Sequence, residues 1–328
     1  MKKIFTILLS VLLTTYFLAG GPSEVFAQKV LRLSEDHPPD YPTTRGDFEF
    51  ARLVKERTNG RIIVEVYHSK QLGEEKKVLE QVQLGGIDIA RVSVSPVSAF
   101  LRDLDALQLP YLYRDSKHMW KVLDGPIGQE ILKKLEAANF VGLGWFEAGS
   151  RNFYAKRQVK TMADLKGMKI RVMQAPLMVG MIECLDAVAT PMPFGEVYSA
   201  LQTGVIDGAE NNWPSYLSTG HHEVAKHFIE DEHTRVPEIT VASKKVFDKL
   251  SKEDRAIISK AHRDAQPYQI KLWADYEKLA EKTVREKGSI VTQVTPAEKK
   301  KFMDAMKPLY DKQPAEILAV VKKIREVK

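Results

Sequence analysis

Residues 151–211 hold three side chains suited to one kind of chemistry: Arg151, Arg171 and Asn211. Arg151 follows Gly149-Ser150 after an apolar run. Arg171 stands in the strand-like Lys169-Ile170-Arg171-Val172. Asn211 closes the stretch Gly204-Val205-Ile206-Asp207-Gly208-Ala209-Glu210-Asn211. A guanidinium keeps its charge and offers carboxylates a planar fork. Two forks near strand ends therefore suit capture of an organic acid, and nearby helix N-termini favour anions as well. Spacing alone equally allows two solvated surface arginines.

The elements that would position these residues alternate in type. Val30–Leu33, Arg61–Tyr67 and Ile87–Val92 are β-rich, with helices expected over Phe48–Glu56 and from Leu72-Gly73-Glu74 to Gly85-Gly86. This βαβαβ order implies parallel strands joined by right-handed crossovers, with ligands beyond the carboxyl ends of the strands. The grammar repeats from Phe140–Phe146 onward. Thr161-Met162-Ala163-Asp164 reads as a capping-box helix start, and Met168–Val172, Ala187–Thr190 and Val205–Asp207 read as strands. The C-terminal third is helical: a long stretch from Ser251 toward Gly288, which Pro267 should kink or split, then a helix starting at Thr295-Pro296-Ala297-Glu298. The fold class is thus α/β, with two lobes and a long helix able to brace them.

Lys2-Lys3, the apolar run Ile4–Ala19 and Val25-Phe26-Ala27 read as a secretory signal peptide over 1–27, cleaved before Gln28. A retained N-terminal anchor is the competing reading. The formal charge of +6 becomes +5 without that segment, which carries Lys2, Lys3 and Glu24. Basic residues are scattered among acids, so nucleic acid is not an expected partner. The single cysteine, Cys184, excludes an internal disulfide and reads as apolar filler.

Several motifs together resemble the periplasmic solute-binding subunit of tripartite ATP-independent periplasmic (TRAP) transporters, of the dicarboxylate-binding DctP type. They are Asn59-Gly60-Arg61-Ile62, Gln71-Leu72-Gly73, Leu109-Pro110-Tyr111-Leu112, Asp164-Leu165-Lys166-Gly167-Met168-Lys169-Ile170-Arg171-Val172, and Glu196-Val197-Tyr198-Ser199-Ala200-Leu201-Gln202-Thr203-Gly204-Val205-Ile206-Asp207-Gly208. The resemblance implies a two-lobed periplasmic binding protein fold with crossing segments as hinges and a lobe-spanning C-terminal helix. Chain order then places 28–147 with 237–276 in lobe I and 148–236 with 277–328 in lobe II.

By the same resemblance, Arg171 pairs with the ligand carboxylate, Arg151 and Asn211 add contacts, Glu74 meets polar groups, and Phe194 forms an apolar wall. For Glu74 the competing assignment is a solvated first-turn carboxylate; for Phe194 it is core packing. Arg91 would be an extra cation in the site, or else a surface charge at a strand end. Glu210-Asn211-Asn212-Trp213-Pro214-Ser215-Tyr216, with His233 and Pro237-Glu238, is similar to the branch that binds hexuronates such as glucuronate or galacturonate. Trp213 or Phe194 would then carry the sugar ring, with His37 and Asp40 adding contacts and His233 counted among the ligand-binding residues; a polar loop is the other reading of Asp40, and hinge packing that of Trp213. The expected partners are an organic acid and the TRAP membrane permease, with no cofactor and no metal.

Rival classes remain. His37, His118, His221, His222, His227 and His233 invite a hydrolase or metal-site reading, but the sequence has no Gly-x-Ser-x-Gly elbow and no His-Glu-x-x-His. A binding protein for an ATP-driven importer, or a sensor that presents its closed form to a receptor, would share the lobes and the export signal.

Overall fold

The structure is a computed structural model and describes residues 28–328. The expected signal peptide lies outside the described residues. The strands are β1 (Lys29–Ser34), β2 (Ile62–Tyr67), β3 (Ile89–Ser93), β4 (Phe140–Phe146), β5 (Arg151–Ala155) and β6 (Lys169–Val172), followed by β7 (Val188–Pro191), β8 (Gly208–Asn211), β9 (His227–Thr234), β10 (Glu238–Ser243) and β11 (Ile290–Gln293). They form two sheets, ordered β2-β1-β3-β10-β4 and β11-β9-β5-β8-β6-β7, one to each lobe. The two-lobed α/β expectation is met. As the βαβαβ order requires, β1 runs parallel to both β2 and β3.

Each sheet uses one arrangement to gather functional ends. In the first, β10 runs antiparallel to β3, so its start, Glu238, lies opposite the end of β3, Ser93. In the second, β5 runs antiparallel to β8, so Arg151 begins where Asn211 ends, while β6 lies parallel to β8 and brings Arg171 alongside. Both sheets thus point the ends of parallel strands and the start of one antiparallel strand at the same cleft, the location general to open α/β sheets.

The helix Lys252–Glu286 packs against Pro42–Arg57 of the first lobe and Trp213–Ser218 of the second. Ser251 caps it by accepting the Asp254 N–H at 3.0 Å. Pro267 neither splits nor ends it. Proline leaves the carbonyl four residues back without its helical donor; Arg263 and Pro267 are both exposed here, so water can take that bond. Gln269 clasps the crossing segment: its Oε1 accepts the Glu147 N–H at 2.8 Å and its Nε2 donates to the Glu147 carbonyl at 3.0 Å. Gly149 has φ +63°, where any side chain is strained, and a Cβ there would also push aside Glu277 Oε1, 2.3 Å away.

Three local expectations shift. Thr161-Asp164 does form a capping box, but it starts a single 3-10 turn, Met162–Leu165, before the chain enters β6. The strand expected at Val205–Asp207 begins at Gly208, because Gly204 and Val205 are spent in turning out of the helix Val197–Thr203. The helix Ala315–Glu326, which chain order groups with the second lobe, packs on Arg102–Leu107 and Pro126–Lys134 of the first. Its stripe Ile317, Val321 and Ile324 is buried, and His118 Nε2 donates to the Ile324 carbonyl at 2.9 Å. No helix among the described residues is long and apolar enough to cross a membrane.

Candidate functional site

A cavity of about 410 Å³ lies between the lobes. The second lobe lines it with Arg151, Arg171, Met173, Phe194, Asn211, Asn212 and Ser215. The first contributes Asp36, His37, Tyr41, Thr43, Glu75, Ser93 and Glu238, and the long helix adds Trp273. The two walls are chemically opposite: guanidinium and amide donors on one side, carboxyl acceptors on the other.

Three arginines among the described residues are buried, and their partners distinguish them. Arg151 meets Glu210 through Nε and, at 2.9 Å, through Nη2, while Nη1 donates to Asn211 Oδ1 at 3.0 Å. Arg91 grips Glu35 with Nε at 2.6 Å and Glu238 with Nη1 at 2.5 Å. Arg171 has no carboxylate within salt-bridge distance among the described residues. Its Nε and Nη2 donate to the Met192 carbonyl at 3.1 and 2.8 Å, which fixes the plane and leaves the Nη1/Nη2 end for another acceptor. Burial pushes its pKa down, partly offset by the more distant Glu210. A desolvated guanidinium with one open fork is the group that a ligand carboxylate would neutralise.

Behind Arg151 lies a chain of alternating charge. Burial opposes the Glu210 charge, but Arg151 and His233 together outweigh it and bring the carboxyl down to about 2. Burial likewise opposes charge on His233, yet Asp231, at 2.9 Å from Nδ1, and Glu210 push its pKa up to about 9. His233 is therefore an imidazolium at neutral pH, stacked on Phe153 with ring centres 4.3 Å apart. It does not line the cavity. Its role is to hold Glu210, which holds Arg151.

The first-lobe wall carries more acid than base. Burial pushes the Asp36 carboxyl well above the ordinary carboxylate range, with Glu75 adding to the effect. Its Oδ2 and Thr43 Oγ1 find no hydrogen-bond partner among the described residues. Glu75 accepts the Ser93 N–H at 2.6 Å, and burial, then Glu238, pushes it up to about 7. His37 stacks on Tyr41 with ring centres 3.9 Å apart and is kept neutral by burial. Its Nδ1 lies between Glu35, at 3.0 Å, and Arg91, at 2.9 Å.

Glu75 makes the fold pH-sensitive in a definite direction. Its folded pKa, about 7, lies above its ordinary value of 4.5. The folded state is therefore progressively disfavoured as pH rises from 4.5 to 7, with the full cost present above 7. Glu75→Gln, which keeps an acceptor for Ser93, is expected to raise the ligand-free unfolding free energy at pH 8 by at most about 3 kcal/mol. Urea titrations at pH 4.5 and pH 8 check this: the gain should vanish at the lower pH, and an equal gain at both would refute the assignment.

The structure brings Arg171, Arg151, Asn211, Phe194 and His37 to one cavity. It corrects four other readings. Arg91 is neither an extra cation for ligand nor a surface charge: it is 1% exposed and engaged by Glu35 and Glu238. Trp213 offers no face to the cavity, being stacked on Phe228 at 3.6 Å with Arg285 5.7 Å from its ring centre. His233 is the buried imidazolium described above. Glu74 lies one residue before the acid that reaches the cavity, Glu75, and its carboxylate instead accepts the Gly195 N–H. Asp40 is exposed. Sequence reasoning missed Asp36, Tyr41, Thr43, Glu75, Ser93, Asn212, Ser215, Glu238 and Trp273. The strand-end rule would have found Asp36, Ser93 and Glu238, which follow β1, end β3 and start β10.

Two sheets facing one cleft, braced by a helix that touches both, with a charged socket between them, define a two-lobed solute-binding protein. Residues 33–316 match the family described as bacterial extracellular solute-binding protein, family 7 (DctP), and the chain belongs to that family. A solute-binding protein of Chromohalobacter salexigens is 37% identical over 276 residues, covering 84% of this chain and 82% of the relative. A TRAP periplasmic solute-binding protein of Bradyrhizobium sp. BTAi1, solved in complex with α/β-D-galacturonate, is 45% identical with a TM-score of 0.89, covering 91% of this chain and 100% of that one. Its counterpart from Pseudomonas putida F1, with bound D-glucuronate, is 36% identical with a TM-score of 0.88, covering 91% and 97%. Membership of a solute-binding family makes capture, not turnover, the task of the cleft.

Proposed function

We propose that the protein captures a hexuronate, galacturonate or glucuronate, in the interlobe cavity and delivers it from the periplasm to a TRAP membrane permease. The observation that carries this reading is Arg171, a buried guanidinium with an open fork facing a wall of carboxyl groups. A sugar acid suits both walls. Its carboxylate neutralises Arg171, with Asn211 and Arg151 alongside, and its hydroxyls donate to Asp36, Glu75 and Glu238. Phe194 lines the same cavity, beside Arg171. The galacturonate and glucuronate complexes of similar proteins support the ligand class. The expected signal peptide supports export, and the family supports the permease as partner. Closure of both lobes on the acid would present one composite surface to that permease.

A dicarboxylate fits less well, because its second end has no hydroxyl to donate to the acceptors of the first-lobe wall and would meet the Glu238 side chain. Calorimetry against D-galacturonate, D-glucuronate, D-galactose and succinate tests the reading. One or both uronates should bind at least about tenfold more tightly than galactose, which lacks the carboxylate, and than succinate, which lacks the hydroxyls. Tighter binding of succinate would overturn it.

A further inference from the structure

Glu74 stands outside the main cavity, yet it reaches across the cleft. From the loop that precedes the helix Glu75–Leu84 of the first lobe, its carboxylate accepts the backbone N–H of Gly195 in the second, 3.2 Å to Oε1 and 3.4 Å to Oε2. Beside it, Lys70 Nζ sits 5.5 Å from the ring centre of Phe194. Both contacts join the 68–75 loop to the turn Phe194–Glu196. A side chain at 195 would disturb the same approach. A Cβ there would lie 2.3 Å from Glu74 Oε1 and 3.2 Å from Lys70 Cε. The backbone of Gly195 is not in the left-handed region, so its φ does not demand glycine. What crowds a side chain there is the carboxylate arriving from the other lobe, which would have to move aside.

We propose that Glu74 and Gly195 form a latch across the mouth of the cleft, with Lys70 on Phe194 beside it. The latch sets how long a captured acid is held, without touching that acid. The proposal uses the uronate reading for its probes. A contact made only when the lobes are together stabilises the closed state and leaves the open one unchanged, so it acts on release and not on entry. A hydrogen bond from a backbone N–H to a partly exposed carboxylate is worth about three- to tenfold in a rate.

Stopped-flow measurements with D-galacturonate and D-glucuronate test this on the wild type, Glu74→Ala, Gly195→Ala and the double variant. Each single change is expected to raise koff about three- to tenfold for both sugars, with kon within about twofold of wild type. The double variant should release no faster than either single one, because the Cβ at 195 then has no carboxylate to displace. Unchanged koff, fully multiplicative effects, or a loss confined to one of the two C4 epimers would overturn the latch, the last by marking Glu74 as a sugar contact. A second arm needs no acid. Spin labels at Leu84→Cys and Val205→Cys, exposed positions on opposite lobes, in a Cys184→Ser background report the closed fraction of the ligand-free protein. Glu74→Ala should reduce the ratio of short-distance to long-distance populations about three- to tenfold. An unchanged population overturns the latch even if neither uronate binds, and failure of both uronates to bind counts against the ligand reading alone.

Discussion

Arg171→Ala weakens binding of D-galacturonate by at least about 25-fold. The change removes one side of a charge pair inside a buried cavity and strands the ligand carboxylate there. Truncations of this kind cost about 2–5 kcal/mol, and about 1.4 kcal/mol corresponds to each tenfold of affinity. Arg171→Lys should recover only part of the loss. Lysine keeps the charge, but it cannot both hold the Met192 carbonyl with two N–H groups and present a planar fork to the acid. Affinity for D-galactose should barely change in either variant, since that sugar has no carboxylate to lose. Titration calorimetry on the three proteins checks all of this. An Arg171→Ala protein that holds galacturonate at wild-type affinity contradicts the role given to the guanidinium.

Glu210→Ala destabilises the ligand-free protein by about 3–5 kcal/mol, the usual cost of breaking a buried ion pair on one side. Glu210 is 0% exposed, and it partners both Arg151 and the His233 imidazolium. Removing it leaves two buried cations facing each other with Asp231 as the remaining acid in the row. Both cations depend on it, since Glu210 helps raise the pKa of each. The urea midpoint should fall accordingly, with Glu210→Gln affected less because it retains an acceptor of the same shape. A midpoint within error of wild type for Glu210→Ala would show that the row of charges does not support the second lobe.

The parts of this molecule legible in its sequence are those that local rules determine. Periodicity and glycine punctuation located β1, β2 and the helix ending at Gly85, and Thr295 caps its helix by accepting the Glu298 N–H as expected. What the sequence conceals is pairing over long range. Arg91 and Arg171 both read as charged residues in short strands, and both are buried. They differ because Glu35, just past the end of β1, and Glu238, at the start of β10, 56 and 147 residues from Arg91, arrive beside it, whereas no acid arrives at Arg171. Trp213 and Phe194 posed the same difficulty for aromatics: either could have lined a site, and the position of Phe228 decided the matter for Trp213. Glu74 and Glu75 show a finer limit. Two adjacent acids at a helix start leave in different directions, so one enters the cavity and the other crosses to Gly195.

A crystal structure of the protein with D-galacturonate is the most direct test of the whole account. It should show the carboxylate of the sugar paired end-on with Nη1 and Nη2 of Arg171, and its hydroxyls turned toward Asp36, Glu75 and Glu238. A carboxylate bound elsewhere, with the Arg171 fork turned away from the acid, would contradict it.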